Sequence, residues 1–311
     1  MVVTSIIHIV TFLVIVLGIL VLGLLTSWVD RKVTARVQAR VGPPWFQPVA
    51  DILKLLGKET LVPETSARAV FLLAPLFGLA GVALAAGLLG HVLLWPDVGF
   101  LGDVVVLVYL LIIPALAVII GASASGNPIA AVGASREMKL VLGYELPSLI
   151  VIATIIYKSG FDLRLGQIMN GQMTAGWNLW SISGIIGFFV LLLSTQAKLG
   201  LVPFDVPEAE QEIMGGTITE YSGPPLAMIK ISKIMLMAIM PLFMIVLLLG
   251  GVHFKGLSVI WSILKYVVII VLIVLIRNTN PRVRIDQAVK FFWGPMTVLA
   301  LAGLILAIWG L

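Results

Sequence analysis

Eight apolar runs divide this chain, at about 5–28, 69–95, 104–122, 140–157, 179–197, 226–250, 257–276 and 293–311. As helices rising about 1.5 Å per residue, each spans or nearly spans a hydrocarbon core of roughly 30 Å. Four formal charges lie inside them: Glu145, Lys230, Lys233 and Lys265. Inside a bilayer the backbone has no water to bond, so only helices and closed barrels can cross. Long continuous runs, rather than alternating strands of about ten residues, exclude a barrel. The predicted fold is an all-α integral membrane protein of about eight transmembrane helices, forming one polytopic domain over residues 1–311. The chain is 60% apolar and 11% charged, whereas a soluble domain carries about 25% charged residues. That composition excludes a soluble enzyme, a disordered chain and a nucleic-acid-binding domain. The first run has no basic segment before it and is too long for a signal peptide, so it is a retained helix.

Lys and Arg in the connecting loops set the orientation. Loops one, three, five and seven (29–68, 123–139, 198–225 and 277–292) carry seven, two, one and four of them. Loops two, four and six (96–103, 158–178 and 251–256) carry none, two and one. The odd loops are expected in the cytoplasm and both termini outside, in a multi-pass protein of the cell membrane.

Loop one is the longest polar segment. Val49, Ile52, Leu53, Leu55 and Leu56 form an apolar stripe with Asp51, Lys54 and Lys58 around it, the pattern of a short amphipathic helix at the membrane interface. Arg31, Arg36 and Arg40 fit positive-inside anchoring, and the Gly42-Pro43-Pro44 turn also fits a shaped cavity wall. Loop five is the anomaly. Between Leu199 and Pro225 stand Asp205, Glu208, Glu210, Glu212 and Glu220, with no basic residue. Asp205 is placed to cap a short helix with Pro207 in its first turn and Glu208 in a capping-box position. Glu208 and Glu212, four apart, then share one helix face and repel by a few tenths of a kcal/mol. Proton handling, docking of a basic partner and a merely solvated loop all fit such a cluster.

Glu145 lies inside the fourth run, just before Pro147. A carboxylate there has to be protonated, paired or facing water, which makes it a candidate functional residue. Its candidate counter-charges are Lys230 and Lys233, which snorkelling to the surface explains equally well. Lys265, beside Trp261 and Tyr266, reads as an anchor at the outer interface. The chain has no Cys, and His8, His91 and His253 stand apart. No metal-ligand spacing is present, so no cofactor is expected on this chain.

The polar blocks carry a resemblance. Arg31-Lys32-Val33, Ala39-Arg40-Val41-Gly42-Pro43, Gln47-Pro48-Val49-Ala50-Asp51 and Lys54-Leu55-Leu56-Gly57-Lys58-Glu59 resemble the first loop of the complex I membrane subunit that seals the quinone chamber, the NADH dehydrogenase subunit 1 family. Gly143-Tyr144-Glu145-Leu146-Pro147, Pro203-Phe204-Asp205-Val206-Pro207-Glu208-Ala209-Glu210 and Thr219-Glu220-Tyr221-Ser222-Gly223 are similar to the same family, in the same order. Loop one lacks the second Arg-Val-Gly-Pro unit usual in complex I. Gly133-Ala134-Ser135-Arg136-Glu137 and Glu210-Gln211-Glu212-Ile213 resemble instead the anchor subunits of energy-converting membrane-bound nickel–iron hydrogenases and membrane-bound sulfane reductases.

The resemblance implies a role rather than a reaction. Loops 29–68 and 198–225 would dock a peripheral arm of hydrogenase-like large and small subunits and an iron–sulfur subunit. That arm would carry the iron–sulfur clusters and, in the hydrogenase type, the nickel–iron site, with ferredoxin as donor. Antiporter-like membrane subunits would move protons or sodium ions. Glu145, Asp205, Glu208, Glu210, Glu212 and Glu220 are the candidate coupling carboxylates. Arg36, Arg40, Asp51, Lys54, Lys58, Arg136 and Glu137 are candidates for docking or ion pairing, and Lys230 and Lys233 for intramembrane cations. The competing readings are a quinone-binding subunit of an NADH- or ferredoxin-quinone oxidoreductase and a stand-alone secondary transporter, in which Glu145-Leu146-Pro147 would mark a broken helix.

Overall fold

The structure, a computed structural model, describes residues 2–254 and 256–311, with the side chains of residues 2–6 and of Glu210 outside the description. Among the described residues every regular element is helical. In chain order these are α1 (Val2–Val37), α2 (Gln47–Leu56), α3 (Arg68–Leu94), α4 (Asp103–Leu110), α5 (Ile113–Ala124) and α6 (Pro128–Lys158). There follow α7 (Leu165–Ala175), α8 (Ile182–Lys198), α9 (Glu210–Ile213), α10 (Gly223–Leu248), α11 (Ser258–Thr279), α12 (Ile285–Phe291) and α13 (Thr297–Ile308). Among the described residues seven helical stretches are long and apolar enough to cross a membrane, and α8 is a shorter apolar helix. The eight expected runs are thus present as seven long helical stretches, two of them interrupted, and one short helix.

Local chemistry sets several of the boundaries. Proline at 114 lacks the N–H that would continue α4, and its ring crowds the carbonyl of residue 110, so the third run breaks into α4 and α5. Asn127 caps α6 by accepting the Ile129 N–H at 2.8 Å, with Pro128 opening the helix. Pro295 lies in the π-helical turn Phe292–Met296 between α12 and α13, a usual place for an interrupted hydrogen-bond ladder. Two helices run further than the apolar runs. α1 continues to Val37 and α6 starts at Pro128, so Arg31 and Arg36, and likewise Arg136 and Glu137, are helical rather than in loops.

α10 is the central helix, with nearly every residue from Met235 to Leu248 buried. It packs on α1 and α3, α3 packs on α5, and α6 holds a second group with α8 and α13. α1 and α11 turn apolar side chains such as Leu13, Leu17 and Ile263 outward, as lipid-facing helices do.

Loops one and five meet where α10 begins. The Leu61 N–H donates to Ser222 Oγ at 2.9 Å. The next residue, Gly223, has φ +59°, and a Cβ there would stand 2.7 Å from the Glu59 carbonyl oxygen and 2.8 Å from that of Lys58. A side chain at 223 therefore meets both backbone strain and backbone atoms. Gly223→Val is expected to destabilise the fold by about 1–3 kcal/mol, read as a lowered melting temperature in detergent micelles. An unchanged melting temperature would refute this contact between the two loops.

Candidate functional site

Apart from Lys265, the charged residues picked out by sequence gather toward one end of the bundle, where α1 ends, α6 and α10 begin and loop five folds back. At this loop-one end α2 is held to α1 by polar contacts. Arg31 Nη1 pairs with Asp51 Oδ2 at 2.7 Å, and Gln47 Nε2 donates to Asp51 Oδ1 at 3.0 Å. Trp28 Nε1 donates to the Pro43 carbonyl at 3.2 Å, fixing the turn. The Arg31 guanidinium holds the Asp51 carboxyl below its ordinary range. Leu53 and Leu56 of α2 are exposed, as are Val41, Trp45 and Phe46. Arg36, Arg40, Lys54 and Lys58 are exposed beside them, and none of the four makes an ion pair among the described residues.

Loop five is anchored by an aromatic plug. Phe204 packs 4.8 Å from Phe292 and 5.9 Å from Phe291, and Phe292 meets Tyr144 edge-on at 6.4 Å. The Val283 N–H donates to the Pro203 carbonyl at 3.0 Å. From that anchor each described carboxylate of the loop finds a separate partner. Asp205 pairs with Arg282 at 3.0 Å, Glu208 with Lys233 and Glu212 with Arg136 at 2.6 Å. Glu220 accepts from Asn127 Nδ2. Glu210, expected among them, lies outside the described side chains.

Two expectations for this loop are corrected. Asp205 caps no helix, because α9 begins only at Glu210. Val206 precedes a proline and is disfavoured in helical conformation, and Arg282 takes the carboxylate instead. Glu208 accordingly lies before the helix rather than on one face with Glu212, and two separate cations replace the expected repulsion. Burial raises the Asp205 carboxyl above its ordinary value, against the pull of Arg282.

Glu145 is paired, but not with the expected lysines. Lys198 Nζ lies 2.7 Å from Glu145 Oε1, and the two side chains are 9% and 12% exposed, so the pair is buried. Lys230 is exposed and Lys233 is engaged by Glu208, so neither serves Glu145. Sequence reasoning missed Lys198, although it is the single cation of loop five and closes α8. Its Nζ also stands 5.6 Å from the Tyr144 ring centroid. Asp30, paired with Arg277, was missed likewise. Lys265 lies where α10 ends, with its ammonium turned inward. It is buried, donates to the Leu249 carbonyl at 2.5 Å and stands 4.3 Å over the Trp177 ring.

Two small cavities flank Lys198. One, of about 50 Å³, lies toward loop five and is lined by Glu137, Asp205, Glu208, Ser232 and Lys233 among others. The other, of about 20 Å³, lies deeper and is lined by Tyr144, Glu145, Ser148, Ser194 and Thr195 among others. Lys198 lines both. A water needs roughly 10–15 Å³ of such volume, so the outer cavity has room for a short water chain and the inner one for a single water. Carboxylates and the Lys198 ammonium, groups that can exchange protons with such water, border both cavities. Among the described residues no group of three or more His, Cys, Asp or Glu could hold a metal ion.

A family-wide profile described as NADH dehydrogenase matches residues 9–308. The H-type subunit of the NADH-quinone oxidoreductase of Anoxybacillus flavithermus is 35% identical over 309 residues, covering 94% of this chain and 89% of that one. The same subunit of Bacillus thuringiensis is 33% identical over 308 residues, with the same coverage. Among solved structures, a chain of the membrane-bound sulfane sulfur reductase, an archaeal respiratory membrane complex, superposes with a TM-score of 0.85 at 26% identity. The match covers 96% of this chain and 99% of that chain.

Two outcomes are expected. Lys198→Met leaves Glu145 buried without its cation and should cost about 3–5 kcal/mol, most of it recovered in Glu145→Gln/Lys198→Met; equal melting temperatures for the single and double variants would refute the buried pair. Asp51, with its lowered folded-state value, contributes stability above the ordinary carboxylate value that is lost as pH falls through the folded one. Asp51→Asn should therefore speed amide exchange in α2 relative to the unsubstituted protein at pH 6. That difference should close below about pH 4, and a pH-independent difference would count against the ion pair.

Proposed function

The chain belongs to the NADH dehydrogenase subunit 1 family, which includes the H-type subunits of bacterial NADH-quinone oxidoreductases, and from that premise we propose that it anchors the peripheral redox arm of a complex I-like respiratory complex and couples its electron transfer to ion translocation. The complex is of the membrane-bound hydrogenase or sulfane reductase type, fed by ferredoxin, with protons or sodium ions moved through adjoining antiporter-like subunits. The membrane is the cell membrane, with the loop-one end in the cytoplasm and both termini outside.

The observation that carries this reading is the line of partnered charges from the loop-one surface inward. Exposed Arg36, Arg40, Lys54 and Lys58, together with Trp45 and Phe46, offer a mixed basic and apolar face to a docked arm. In loop five, which meets loop one at Ser222 and Gly223, Asp205, Glu208 and Glu212 are held in separate ion pairs at or near the surface. Glu145 and Lys198 continue the line into the bundle. A displacement of loop five by a docked arm would change the partners of these carboxylates, and a changed partner changes proton affinity. Iron–sulfur clusters, and a nickel–iron site in the hydrogenase type, belong to the partner subunits in this reading. A quinone-reducing complex is the second reading, favoured by the two curated relatives, both NADH-quinone oxidoreductase subunits. A stand-alone transporter would leave the basic and aromatic loop-one face without an occupant.

The test is gentle purification of the native complex with metal analysis, followed by ion transport in sealed vesicles. Nickel with abundant iron supports the hydrogenase type, iron without nickel the sulfane or quinone reductase types, and quinone-site inhibition selects the quinone reading. Glu208→Gln and Glu212→Gln should each lower the number of ions moved per electron severalfold. An unchanged ratio in both variants, or purification of this chain alone without metal-bearing partners, would overturn the coupling role.

A further inference from the structure

Lys198 sits at the neck between two cavities, and its neighbours differ in how well they are served by cations. On the inner side its partner is Glu145, bound at 2.7 Å in a buried pair. On the outer side the carboxylates facing the cavity are Asp205, Glu208 and Glu137. Asp205 already has Arg282 and Glu208 already has Lys233. Glu137 has no hydrogen bond or ion pair among the described residues, although it lines the same cavity wall as Lys198.

Glu137 and Glu145 lie on one helix, α6, eight residues and so about 12 Å apart along its axis. Lysine carries its charge on a flexible four-carbon stem with three rotatable donors, and here open volume lies on either side of it. Resting on the coupling role proposed above, we propose that Lys198 is a two-position cation that exchanges Glu145 for Glu137 and so carries the protonation state of the buried carboxylate to the loop-five end.

The exchange makes and breaks no bond between heavy atoms. A proton relayed from the loop-five end through water in the two cavities binds Glu145 and neutralises it, the water serving as carrier and ending as water. Lys198 keeps its own proton, loses its counter-ion and moves to the unpaired carboxylate of Glu137. When Glu145 releases its proton to the same water, Lys198 returns. At the inner position the ammonium faces the Glu145 carboxylate, and at the outer one its arrival, beside Lys233, favours the charged form of Glu137. Every titratable or charged group near the neck takes part in the field it moves through: Tyr144, Glu145 and Glu137 from α6, Asp205 and Glu208 from loop five, and Lys233 from α10. Arrival beside Glu137 brings a second cation next to Lys233 and weakens the hold of Lys233 on Glu208. The carboxylates of loop five thereby sense the state of Glu145, and the same link works in reverse.

The test separates a moving cation from a static counter-charge. In the purified complex in sealed vesicles, Glu137→Gln removes the second position without touching the resting pair. Glu145→Gln/Lys198→Met removes both charges of that pair at similar volume, with iron content and melting temperature reporting assembly. A two-position cation predicts at least a fivefold fall in ions moved per electron for both variants. A static pair predicts wild-type ratios for Glu137→Gln and recovery in the double variant, and that result would overturn the proposal. Structures of the oxidised and dithionite-reduced complex give an independent reading. Lys198 Nζ within about 4 Å of Glu137 in one state supports the exchange, whereas Nζ beside Glu145 in both states overturns it. Normal ratios in Glu208→Gln and Glu212→Gln as well would instead bring down the coupling role itself, so the two failures are distinguishable.

Discussion

A charge withdrawn from water must be paired, and in this bundle the buried ion pair between Glu145 and Lys198 is the constraint around which one half of the fold is arranged. It joins the middle of α6 to the last residue of α8, two helices that also pack against each other and against α13. α8 is the short helix of the set because it stops at this lysine, where the chain turns at Gly200 with φ +61°. Removing both charges together would cost less than removing one. A pair of this kind therefore contributes little net stability, and its value lies in where it places a titratable group.

The same logic explains why loop five is an ordered surface rather than a solvated acidic strand. Phe204 is driven by apolar burial against Phe291 and Phe292, the latter backed by the ring of Tyr144. With the loop pinned there, its carboxylates reach cations on several elements: Arg282 in the connection before α12, Lys233 on α10 and Arg136 on α6. Each pair is partly exposed and individually weak. Their effect is positional, since four parts of the chain are cross-linked by contacts that a change of protonation can release one at a time.

Much of the architecture was legible in the sequence because the membrane imposes a one-dimensional rule. Apolar length marks a helix whatever its neighbours are, and the stripe from Val49 to Leu56 marked α2 in the same way. Helix ends were less legible. The last turns of α1 and the first turns of α6 are polar where they leave the apolar layer, so Arg31, Arg36, Arg136 and Glu137 read as loop residues. The candidate carboxylates were found because an acidic run beside a membrane is locally anomalous. Arg136, a candidate for ion pairing, does pair with Glu212; the other partners were not found, because pairing is a tertiary property. Lys198 lies fifty-three residues from Glu145 in sequence, with the loop containing α7 between them. Asp205 shows the converse error, in which a sound local rule for capping lost to a guanidinium seventy-seven residues away. Lys265 shows a third kind of gap: its sequence neighbours Trp261 and Tyr266 were visible, but the ring it stands over, Trp177, is one that sequence proximity does not reveal.

The relatives sharpen what a chain of this kind contributes. A subunit from an NADH-quinone oxidoreductase and a chain from a sulfane reductase complex share nearly its whole length, yet those complexes are named for different electron acceptors. One membrane fold is thus compatible with different redox reactions, and the features common to any such use must be independent of the acceptor. Paired carboxylates meet that requirement. They respond to local electric field and hydration, which docking or a moved charge can alter, and they do so without a resident metal. In a low-dielectric interior the response is steep, because exchanging one partner changes the proton affinity of a carboxylate far more than the same exchange would in water. Lys198, which borders both cavities, sets the buried pair at Glu145 next to the carboxylates of loop five.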